Sequence, residues 1–177
     1  MSGADAATAA LSLSEVKAFL RIEHGEEDAL LAGFVRAALD MFEGFSGQTA
    51  LVGPRGARVP VNGEWHRVAP TPVLRLLSVE GRTGAGAPVP IGAEAVDLQI
   101  DFCGDGWVRI VSEGANVAML SVEAGLAADW NGLPEAVRQG VLRLTAHLYA
   151  HRDDPADSGP PAAVAALWRP WRRMRLS

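Results

Sequence analysis

The spacing of apolar residues changes twice along this chain, and no single regular architecture accommodates both changes. In the first fifty residues apolar side chains recur every three or four positions: Leu31, Phe34, Val35, Ala38, Phe42 and Phe45 fall on one helical stripe. From 51 to 130 the interval drops to two. In "VDLQIDF", Val96, Leu98, Ile100 and Phe102 alternate with Asp97, Gln99 and Asp101, as in a half-buried antiparallel strand. Beyond 131 the helical interval returns with Val137, Val141, Leu144 and Leu148. A helical core interrupted by a β-rich insertion satisfies this order.

The punctuation supports the same division. "SLSE", with Ser12 and Glu15, fits a capping box and predicts a short helix over 13–22 that buries Val16, Phe19 and Leu20. Residues 1–10 are small and polar, and are expected to be disordered. Glu26, Glu27 and Asp28 favour a second helix start, because acids complement the positive end of the helix dipole, and Gly47 is its expected stop. Short runs rich in β-formers then alternate with turn-forming stretches such as "GRTGAGAP" and "CGDG". Pro134 opens the later long helix, "DDPADSGPP" reads as a linker, and "AAVAALW" as two helical turns ended by Pro170. The expected fold class is therefore α+β: a bundle of about four helices with an inserted antiparallel sheet or sandwich and an extended C-terminal arm. The helical core spans 11–50 and 131–168, the insertion 51–130 and the arm 169–177.

Composition narrows the function. The 177 residues carry a net charge of -5, which argues against a surface built throughout to neutralise phosphates. The single cysteine, Cys103, forms no intrachain disulfide, and acids beside it would raise its pKa and blunt it as a nucleophile. The N-terminal residues lack the charge and apolar run of a signal peptide, and no apolar stretch approaches the roughly 18 residues of a membrane span. A soluble protein made in the cytoplasm is expected.

Catalytic signatures are weak. His147 and His151, four apart on a helix, would share a face that could hold zinc, but Leu148 stands where a metalloprotease of that type needs glutamate. "GRTGAGAP" lacks the lysine and hydroxyl of a phosphate loop, and a hairpin loop is the simpler reading. No "GxSxG" elbow is present. The expectation is no enzyme, no metal and no cofactor. The alternatives left open are a metal-dependent hydrolase using His147 and His151, and a nucleic-acid-binding module with a basic tail. The ending "LWRPWRRMRLS" carries more content. Trp168, Arg169, Trp171, Arg172, Arg173 and Arg175 combine the residue types most enriched at interface hot spots, and predict a segment that docks on a partner. The competing reading packs Trp168 and Trp171 on the chain's own helices.

Three stretches resemble one family. "LSLSEVKAFLRIEHGEEDALLAGFVRAALDMFEGFSGQTAL" is similar to the start of the head–tail connector (adaptor) proteins of tailed bacteriophages. "SVEAGLAADWNGLPEAVRQGVLRLTAHLYAHRDD" resembles a later segment of the same family, through Gly125, Pro134, Val137, Arg138, Leu142, Leu144, Ala146, Tyr149 and Arg152. "AVAALWRPWRRMRL" resembles its closing stretch. Related proteins occur in prophages and gene transfer agents. The resemblance implies a structural subunit without catalysis, in a homo-oligomeric ring of about twelve copies in the neck of a virion or phage-like particle assembled in the bacterial cytoplasm. Its implied partners are the portal protein and stopper or tail-terminator proteins, with DNA as passing cargo and no membrane. The Arg/Trp tail then becomes an arm for the portal or a neighbouring subunit.

Overall fold

The two changes of period mark the borders of two structural units. In the computed structural model, which describes residues 3–152 and 159–173, the first unit comprises Met1–Leu51 and Ala127–Ser177 and the second Val52–Leu126. The α+β class is as expected: among the described residues there are four helices, with antiparallel sheets in the segment between the second and the third. The second border falls before 130, so that the fully buried Trp130 belongs to the helical unit.

In the helical unit, α1 (Gly3–Leu20), α2 (Asp28–Ser46), α3 (Glu135–Ala150) and α4 (Ala162–Trp168) pack with α3 against each of the other three. α2 follows its sequence pattern. Leu31, Val35, Ala38 and Phe42 are buried, and Gly47 ends the helix in the left-handed region at φ 72, donating its N–H to Glu43 O. Each buried Leu, Val or Phe contributes about 1.5–3 kcal/mol relative to exposure. α1 corrects three expectations. It begins at Gly3, so most of the segment expected to be disordered is helix. Its alanine content, which looks like low complexity, is also the highest helix propensity available. Ser12 lies within the helix and is buried, so it does not stand at the helix start, and Phe19 is 51% exposed. The inward face runs instead through Ser12, Val16 and Leu20 at four-residue spacing.

A small network ties the start of α2 to the end of α3. Tyr149 donates its hydroxyl to Glu27 at 2.7 Å, Arg152 lies 3.8 Å from the same carboxylate, and Lys17 pairs with Asp28 at 2.7 Å. The bond to Glu27, with burial, raises the Tyr149 pKa above its ordinary 10.0, while Arg152 works in the opposite direction. Because the folded-state value is raised, this stabilisation is fully present below about pH 10 and is lost as pH rises through the folded-state value. Tyr149 is the chain's one tyrosine, so absorbance titration reads it alone. Its alkaline transition is expected above the free-phenol value and should move down in Glu27→Ala. An unmoved midpoint would remove the bond from the account.

The β unit holds seven strands: β1 (Gly53–Pro60), β2 (Trp65–Arg67), β3 (Val73–Arg82), β4 (Pro88–Val89), β5 (Val96–Ile100), β6 (Gly106–Ile110) and β7 (Val117–Ala124). They form two antiparallel sheets, ordered β1-β7-β3-β4 and β2-β6-β5. Alternation sets the shared core: Ala118, Leu120, Val122 and Ala124 of β7 meet Val108 and Ile110 of β6. The outer face of the smaller sheet carries Trp65 and Trp107, with Arg109 lying 5.2 Å over the Trp65 ring and paired to Asp97 at 2.7 Å. "GRTGAGAP" is the expected hairpin loop, closed by Thr83 N–H to Ala87 O at 2.9 Å and Gly86 N–H to Thr83 O at 2.9 Å.

β5 departs from its sequence reading at one end. The strand stops at Ile100, and Phe102 is fully exposed rather than inward-facing. The Asp101 carboxylate accepts the N–H groups of Cys103 and Asp105 at 2.8 and 2.9 Å, which turns the chain before the alternation can continue. Among the described residues, no helix is long and apolar enough to cross a membrane.

Candidate docking surface

The residues singled out in the tail do not share one environment. α4 exists because "AAVAALW" has a two-turn apolar face, and its Val164 and Trp168 are buried. Trp168 is 0% exposed. Its ring meets Phe42 edge-on at 5.4 Å between centroids and Phe45 at 6.1 Å, and its Nε1–H donates to Val137 O at 3.4 Å. A glycine makes room for it: a Cβ at position 140 would lie 2.0 Å from Trp168 Nε1. Trp168 is therefore an interior residue of the helical unit. Its assignment to a docking arm is corrected, because only a helix without a side chain at 140 lets the indole lie this close.

The chain then turns back along its own helices instead of extending away. Arg169–Trp171 form a 3-10 turn that contains Pro170. The Trp171 carbonyl accepts a hydrogen bond from the Gln48 side chain, and Arg173 N–H donates to Ser46 O at 2.8 Å. What faces solvent is a basic and aromatic surface at the C-terminal end of α2. Arg169 and Arg172 are exposed, Trp171 and Arg173 are half-buried, and Arg172 lies 5.8 Å over the Phe45 ring. Arg175 lies outside the described residues. The expected extended arm is thus a packed segment through Arg173.

Sequence reasoning missed Gly140, Ser46 and Gln48, which hold this segment. Gly140 leaves a signal: it is the one glycine within the otherwise well-filled α3. Nothing local marks the role of Ser46 and Gln48 in holding the tail, because the tail atoms they bond, Arg173 N–H and Trp171 O, lie far along the chain.

His147 and His151 sit in and just beyond the last turn of α3. Their rings stack with centroids 4.2 Å apart, and His151 Nδ1 is 2.9 Å from His147 O. Among the described residues, no group of three or more His, Cys, Asp or Glu side chains could hold a metal ion. Cys103 lies exposed in the turn after β5.

Surface and interior together describe a helical unit closed by its own C-terminal tryptophan, with cationic and aromatic groups displayed beside that closure. Residues 10–78 match the family described as phage gp6-like head-tail connector protein. The whole chain is similar in fold to chains of gene transfer agent particles. One, from the neck of an empty GTA particle computed with C6 symmetry, aligns with a TM-score of 0.73 at 24% identity, covering 93% of this chain and 90% of that one. Another, from the neck of a native GTA particle computed with C12 symmetry, gives 0.72 at 24% identity over 100% and 95%. A third, from the virion of a native gene transfer agent particle, gives 0.72 at 26% identity over 93% and 90%. No curated protein matches the chain. The N-terminal part of the chain is therefore similar to a gp6-like head–tail connector protein, and the chain as a whole is similar in fold to chains of GTA particles.

Proposed function

We propose that this chain is the ring-forming adaptor in the neck of a phage-like particle, seated beneath the portal and presenting the surface on which stopper and tail proteins assemble. The carrying observation is that 93–100% of the chain shares its fold with chains from particle necks computed with C6 and C12 symmetry. A ring of about twelve copies fits those symmetries. Joining, not turnover, is then its work, and DNA passes through its lumen as cargo. The net charge of -5 suits a conduit, since an acidic wall limits adhesion of phosphates. The exposed arginines beside Trp171 supply a cationic surface for the portal or an adjacent subunit. Many modest contacts made together hold such a ring firmly without any single tight interface.

Deleting the gene in a cell that makes the particles tests this reading. Electron micrographs are expected to show DNA-filled heads without tails, and complementation should restore tails. Normal tailed particles in the deletion strain would refute it.

A further inference from the structure

The basic end of the helical unit has an opposite at the other end of the same helix. α2 is 19 residues long, which puts its ends about 28 Å apart. At its C-terminal end are exposed Arg169 and Arg172, with Trp171 and Phe45 half-buried beside them. At its N-terminal end, the turn from α1 carries exposed Glu23 and Glu26, alongside exposed Arg21 and His24, next to Leu30, which is 42% exposed. Glu27 and Asp28 are already engaged inside the unit by Tyr149, Arg152 and Lys17.

Favourable helix-dipole placement accounts for Asp28 in the first turn of α2. It does not account for Glu23, which lies five residues before the helix, or for Arg169 and Arg172, which belong to another element. Nor do the two patches neutralise each other. Their separation is several times the Debye length of about 8 Å at physiological salt. Each is left to act on another molecule.

Two unlike patches at opposite ends of one body define a head-to-tail contact, which closes into a ring when the rotation allows. A symmetric dimer through either patch would set like charges against each other, which costs several kcal/mol. We infer that the basic-aromatic end of one copy docks on the acidic α1–α2 corner of the next, Arg169 and Arg172 facing Glu23 and Glu26, and Trp171 facing Leu30. The charges set direction and register, and the apolar groups between them add affinity. This assignment rests on the ring proposed above and names its contact.

Truncating the tail cannot test it cleanly, because it also removes the bonds of Trp171 O to Gln48 and Arg173 N–H to Ser46 O that hold the segment. Charge reversal can. The double variants Glu23→Lys/Glu26→Lys and Arg169→Glu/Arg172→Glu are supplied, separately and together, to particle-producing cells lacking the native gene, and copies of the chain per purified particle are counted by mass spectrometry. Each variant alone is expected to fall about tenfold or more below wild type. Together they should recover, because a copy with two basic ends alternates with a copy with two acidic ends. Misfolded chains could not rescue each other in this way. Wild-type incorporation of either variant alone, or failure of the pair to recover, would overturn the contact while leaving the adaptor reading in place. Absence of the wild-type chain from particles would overturn the adaptor reading itself.

Discussion

Trp168→Ala is expected to destabilise the helical unit by about 3–5 kcal/mol, the cost of removing a fully buried aromatic ring and leaving a cavity. That is a large share of the roughly 5–15 kcal/mol that holds a typical domain together. The ring is 0% exposed and meets Phe42 and Phe45 at 5.4 and 6.1 Å, so two aromatic contacts are lost with its buried area. In urea the midpoint should fall while the slope stays near wild type, which marks a change in stability and not in mechanism. Gly140→Ala approaches the same contact from the opposite side. The added Cβ would lie 2.0 Å from Trp168 Nε1, closer than any real pair of such atoms, so the indole must move. A cost of about 1–3 kcal/mol is expected. In the double variant the alanine fits the space the indole leaves, and the combined loss should be less than the sum. If Trp168→Ala melts like wild type, the tryptophan does not close the helical unit.

Gly104→Ala should be the most damaging single methyl in the β unit. Gly104 sits at φ 80, where an L residue costs roughly 1–2 kcal/mol. A Cβ there would also lie 2.4 Å from Pro72 Cβ, and the Gly104 carbonyl accepts Val73 N–H at 2.8 Å and the Thr71 hydroxyl at 3.2 Å. Backbone strain and crowding together should cost about 2–4 kcal/mol. Gly114→Ala is the control. It has nearly the same φ, 81, but nothing within 4 Å of its would-be Cβ, so it should show the backbone cost alone. Amide hydrogen exchange within residues 52–126 should quicken more in Gly104→Ala than in Gly114→Ala. Equal effects would mean that the close approach to Pro72 is relieved without cost.

Where neighbouring residues carry the signal, the sequence was enough. The α2 stripe, the Gly47 stop and the "GRTGAGAP" hairpin depend on spacing within a few positions, and each stands where its spacing puts it. The misreadings have local causes too. Small residues before Ser12 suit disorder and helix equally, and α1 takes the helix. "VDLQIDF" alternates to its last residue, yet Asp101 bonds two backbone N–H groups and ends the strand early. The tail failed for a different reason. "LWRPWRR" advertises an interface by composition, but the place of Trp168 depends on an absent side chain at 140, which no window around the tail contains. The candidate docking surface was therefore half legible: its arginines could be named, while the residues that hold the segment, Ser46 and Gln48, could not.

The strand order carries a consequence for biosynthesis. β7 lies between β1 and β3 and is the last strand of its unit to be made, so the larger sheet cannot close while the ribosome is still translating the earlier strands. The helical unit waits longer still, since α1 and α2 meet α3 only after the whole insertion has been synthesised. Nascent chains stalled just after β7 would thus carry a sheet ready to zip and two helices without their main partner. Those intermediates, with apolar stripes uncovered, are where chaperones would be needed most.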